Sequence, residues 1–133
     1  MLSALSSLIS EVSMDFPIVL KESLFPVQAF FNAMPARSLI RTLEAFCGGV
    51  GAGFNDVVCE FPNELEEGEI HFDGVRFEIF NESAIISNYE FLDVVKKVCS
   101  IYVVQYPAER DVVRDMLERL SIRFRENHTP HAQ

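Results

Sequence analysis

The sequence predicts an α+β domain in which helices flank a small antiparallel meander of three to four strands and pack on one of its faces. Two observations carry this. Apolar residues recur at helical spacing before about residue 48 and after about residue 87, and between these limits the period drops to two. In the middle of the alternating stretch stands Asp73-Gly74, a two-residue hairpin signal.

The elements follow in order. Residues 1–20 contain Leu2, Leu5, Leu8, Ile9 and Val12 and then Pro17, which suggests a peripheral helix or a leader. A helix is predicted from about Ser23 to Met34, with Pro26 in its first turn and Val27, Phe30, Phe31 and Met34 on one side. Pro35 ends it. A second helix, about Arg37 to Cys47, carries Leu39, Ile40, Leu43 and Phe46 and stops at Gly48-Gly49, where glycine permits a left-handed cap. Phe54–Phe61 then alternates as one strand, with Val57, Cys59 and Phe61 on its buried side.

Pro62–Gly68 reads as an acidic loop, and Glu69–Phe72 with Val75–Phe80 as a hairpin across Asp73-Gly74. That register puts Ile70, Phe72, Val75, Phe77 and Ile79 on one face and sets Glu69 opposite Glu78. A turn at Asn81-Glu82-Ser83 leads to a short strand, Ala84–Ser87. Ser87 and Glu90 have capping-box spacing and open a helix to about Tyr106, broken by Pro107. The last helix, about Ala108 to Arg125, places Val113, Leu117, Leu120 and Phe124 on one stripe, and residues 126–133 read as a frayed tail.

At 133 residues the chain fits a single domain, 1–133, whose core needs neither metal nor disulfide. No apolar run is long enough to span a bilayer. No basic cluster precedes Met1–Ser10 and no small-residue cleavage site follows it, so no secretory signal is expected. Three widely spaced cysteines, Cys47, Cys59 and Cys99, argue for reduced thiols in a cytoplasmic protein.

The net charge of −9 is confined to one segment. Between Asp56 and Glu90 there are ten acids and one base, Arg76, while the rest of the chain carries ten of each. Nucleic acid and anionic membranes would be repelled there.

Catalytic and cofactor chemistries find little purchase. There is no Gly-x-Ser-x-Gly elbow, and of His71, His128 and His131 two lie in the tail. The cysteines and His71 lack the close pairs of a zinc site. The glycines at 48–53 follow a helix and precede a strand, the reverse of a phosphate-binding loop. The acids at 64–69 lack the glycine and the ligand spacing of an EF-hand. No enzyme activity, metal or cofactor is expected.

What remains is a surface. The outward face of the predicted sheet holds Asp56, Val58, Glu60, Glu69, His71, Arg76, Glu78 and Phe80. Such a face can simply be solvated for solubility. Val58 and Phe80 among its acids also suit a docking site for a basic protein, since charge speeds and orients encounter while an apolar anchor adds affinity.

Four segments carry a family resemblance: FFNAM (Phe30–Met34), LEAFCGGVGAGFNDVVCEFPNEL (Leu43–Leu65), FDGVRFEIF (Phe72–Phe80) and IISNYEFLDVVKKVCSIY (Ile85–Tyr102). They resemble the immunity proteins of bacterial contact-dependent growth inhibition (CDI) systems, in the subgroup paired with ribonuclease toxins. The resemblance runs from about Phe30 to Leu120 and leaves the first twenty residues outside.

It implies a non-catalytic cytoplasmic protein that binds its cognate toxin domain, the C-terminal nuclease domain of a large exoprotein, and blocks it. The sheet-face argument assigns the contact to Glu60, Glu64, Glu66, Glu67, Glu69, His71, Asp73, Glu78 and Phe80. The alternative is an acidic secretion chaperone or adaptor that binds an effector protein.

Overall fold

In the computed structural model, which describes residues 14–128 and the side chains of 14–125, four antiparallel strands form one open sheet in the order β1-β2-β3-β4. The strands are β1 (Ala52–Phe54), β2 (Val57–Glu60), β3 (Val75–Ile79) and β4 (Glu82–Ile86). Helices α1 (Phe25–Ala33) and α2 (Leu39–Cys47) precede them, and α3 (Asn88–Gln105) and α4 (Arg110–His128) follow. The predicted α+β class and the placing of helices before and after a meander hold.

The helix ends follow from local chemistry. Gly49, at φ 77°, turns the chain out of α2 in the left-handed conformation that glycine allows. At the start of α3 the Ser87 hydroxyl accepts from the Glu90 amide, and the Glu90 carboxylate accepts from the Ser87 amide, both at 3.0 Å. A 3₁₀ turn at Pro107–Glu109 separates α3 from α4. Of the expected leader, residues 1–13 lie outside the described residues, whereas residues 14–20 form no helix and bury Phe16 and Ile18 in the core; the tail beyond His128 also lies outside, and the helix continues through residues 126–128.

The sheet's inward face carries Val57, Cys59, Val75, Phe77, Ala84 and Ile86, all buried. α1 lies across it and sets Phe30 and Phe31 against Phe77, with ring centroids 5.4 and 6.0 Å apart. Phe46, Phe61, Phe91 and Phe124 join α2, the end of β2, α3 and α4 through mostly edge-on ring contacts 5.2–6.1 Å apart. Seven of the twelve phenylalanines are thus committed to holding helices on one side of the sheet.

Three predicted strand details are corrected. The single strand Phe54–Phe61 is a hairpin: Asn55-Asp56 turns the chain, and Phe54 pairs with Val57. Asn55 takes φ 56°, a conformation asparagine tolerates better than most residues.

The hairpin across Asp73-Gly74 does not form. β3 pairs with β2 on one side and β4 on the other, so no edge is left for Glu69–Phe72. Gly74, at φ 97°, instead presses its backbone against the Ile86 carbonyl, where a β-carbon would collide. The third turn is Phe80-Asn81 rather than 81–83, because Ile79 pairs with Glu82. Phe80 is therefore a turn residue, held at φ 54°.

Candidate functional site: an acidic loop at one end of the sheet

Residues 61–74 leave β2 and return to β3 at the same end of the sheet, since Glu60 pairs with Arg76. The entry to this loop is fastened by side chains. The Glu64 carboxylate accepts from the Phe61 amide at 2.9 Å and from the Gly51 amide at 3.1 Å. Asn63 donates to the Gly49 carbonyl at 2.9 Å and accepts from Arg123 of α4 at 3.4 Å. Glu64, expected to meet a partner, thus already fixes the loop's first turn.

The next turn is closed locally: the Glu69 carboxylate accepts from the Glu66 amide at 2.8 Å. Glu66, Glu67 and Glu69 are exposed, and no Lys or Arg among the described residues lies within ion-pairing distance of them. His71 and Asp73, both exposed, face each other at 3.0 Å. At the exit Phe72 is buried outside the main core, with the Arg76 guanidinium 4.6 Å above its ring.

Arg76 also decides the charge of the sheet's outer face. Its Nη2 and Nε donate to Glu60 Oε1 at 2.7 and 3.1 Å, and Glu78 lies 3.8 Å from Nε. The hydrogen bond to Glu60 holds the guanidinium above its ordinary pKa. Glu60 and Glu78 are thus partly neutralised by the protein's own cation. The free negative charge is concentrated on the loop.

Phe80 is 81 % exposed but sits at the other end of β3, four residues beyond Arg76, or ~13 Å at strand rise. The predicted site is thus a loop cluster of Glu64, Glu66, Glu67, Glu69, His71 and Asp73, a strand pair Glu60 and Glu78, and a distant Phe80. Sequence reasoning missed Ile70, which it assigned to the core and which is 87 % exposed. The signal against core burial was its setting, since Glu64, Glu66, Glu67 and Glu69 crowd the residues before it.

The thiols are placed as expected. Cys59 and Cys99 are buried, and burial pushes Cys59 well above the usual thiol range and Cys99 up to about 12. Half-buried Cys47 donates to the Met116 carbonyl at 3.5 Å. Among the described residues no three His, Cys, Asp or Glu side chains are grouped to hold a metal ion, and no helix is long and apolar enough to cross a membrane.

Sheet, helical backing and outward-facing loop define a small α+β protein whose strongest electrostatic feature is offered to solvent rather than enclosed in a cleft. Residues 21–117 match the family described as CDI immunity protein, and the chain belongs to that family. Its general role is therefore immunity, the neutralising of a cognate toxin. Comparison with curated proteins finds no match.

Proposed function

We propose that this immunity protein neutralises a ribonuclease toxin, the C-terminal nuclease domain of a large exoprotein, by covering its basic substrate groove with the acidic surface. A ribonuclease gathers Lys and Arg to hold phosphate, so a fixed array of carboxylates competes for the same cations. The observation that carries the reading is a loop tied down at both ends whose Glu66, Glu67 and Glu69 ion-pair with no Lys or Arg among the described residues, Glu69 feeling Arg76 only at longer range. Asp73, His71, Glu60, Glu64 and Glu78 extend this surface across the end of the sheet. Phe80 falls within the ~30 Å breadth of an ordinary interface. The protein acts in the cytoplasm, where its target would cleave RNA, and acts by binding alone. Family membership favours this over a secretion chaperone.

The test replaces Glu66, Glu67, Glu69 and Glu78 together by Gln. Exposed ion pairs contribute ~0.2–1 kcal/mol each, so the four changes should weaken toxin binding by about 2 kcal/mol, roughly thirtyfold, at low salt. The steepness of affinity against salt should fall as well. Unchanged affinity and unchanged protection of RNA would exclude the acidic mechanism.

A further inference from the structure

Ile70 is 87 % exposed in a loop that is otherwise fastened at both ends, by Glu64 and Asn63 at its entry and by Phe72 beneath Arg76 at its exit. Phe72, two residues on, is buried, so this segment has access to apolar cover that Ile70 does not use. At the same end of the sheet, Tyr89 in the first turn of α3 is 82 % exposed, and Ile85, the strand partner of Arg76, is 50 % exposed. The loop exit lies against this region, with Gly74 packed on Ile86 and Ser87. None of the three contributes more than partly to the fold's own core.

We infer that Ile70 and Tyr89 form the apolar centre of the toxin-binding surface, with the loop carboxylates as its rim. The occupant that fits is a basic protein with an apolar pocket set among Lys and Arg side chains. Charge selects it: a second copy of this chain, bringing the same acids, would be repelled, as would a nucleic acid. The inference rests on the proposal that the acidic loop meets the toxin, and it divides the labour within that surface. Rim charges govern the encounter rate and its salt dependence, whereas a desolvated apolar centre governs residence time. The fastened loop limits the ordering cost of binding.

The experiment measures association and dissociation rates against a catalytically inert form of the cognate toxin domain. Ile70→Ala/Tyr89→Ala should dissociate ~10–100 times faster, as loss of a central anchor does, with the association rate and its salt dependence kept. Ile70→Leu/Tyr89→Phe, which keeps the apolar surface, should dissociate like the unaltered protein and guards against a folding defect. A dissociation rate within about twofold of the unaltered protein, or a loss confined to association, would overturn the inference. If Ile70→Ala/Tyr89→Ala acts as expected while the four Glu→Gln changes alter neither association nor salt dependence, the acidic mechanism falls and the anchors stand. The converse result removes the anchors and leaves the acidic mechanism.

Discussion

Arg76→Ala should loosen the loop and the sheet together. The side chain makes two donations to one oxygen of Glu60, stacks over Phe72, and lies near Glu78. A charged hydrogen bond contributes ~1.5–3 kcal/mol, and because Glu60 is about a third exposed the lower half of that range applies here. The guanidinium–ring contact adds ~0.5–1 kcal/mol. The 3.8 Å approach to half-exposed Glu78 adds a few tenths of a kcal/mol at most.

The sum is about 2–3 kcal/mol, which for a domain of this size lowers Tm by roughly 6–15 °C. Arg76→Lys keeps a point charge but neither the fork nor the flat stack, and should lose about half as much. Urea titration and calorimetry measure the loss, and proteolysis within residues 65–71 reports whether the loop has come free. If Arg76→Ala unfolds within about 0.5 kcal/mol of the unaltered protein, the claim that Arg76 fastens the loop is wrong.

Other outcomes follow from single contacts. Gly74→Ala must place a β-carbon against the Ile86 carbonyl at positive φ, and should cost ~2 kcal/mol or more by urea unfolding. Ser87→Ala removes one half of the α3 capping box and should cost ~1 kcal/mol in the same assay. In thiol labelling near neutral pH, half-buried Cys47 should react before Cys59 and Cys99, whose thiolates burial disfavours.

Alkaline stability follows from two raised groups. Burial lifts Cys99 from 9.0 to about 12, and burial together with the hydrogen bond to Glu109 lifts Tyr102 from 10.0 to about 12. The unfolded chain releases these protons first, so stability should decline as pH rises from about 9 toward 12. Cys99→Ala and Tyr102→Phe should flatten that decline in urea midpoints measured against pH.

Much of the frame was legible because its signals are local. Pro35, Pro107 and the Ser87–Glu90 pair act within a turn of the chain, and they set helix limits as expected. The strands were harder. Asp73-Gly74 has the composition of a tight turn, yet whether a turn closes a hairpin depends on which strand takes the neighbouring edge. β2 takes it. The Asn55-Asp56 turn went unread, and the Phe80-Asn81 turn was placed one residue late, because the flanking strands are short and neither turn holds a glycine.

By itself, the sequence determined that helices enclose a meander and that the negative charge lies between residues 56 and 90. Both follow from composition and spacing along the chain. Only the tertiary structure decided where those charges act. Strand pairing brought Arg76 between Glu60 and Glu78 and so neutralised part of the outer face. The same pairing excluded Glu69–Phe72 from the sheet, turning Ile70 outward, burying Phe72 beneath Arg76, and leaving Phe80 at the far end. Contacts between residues distant in sequence depend on which edges meet, and no local pattern encodes that.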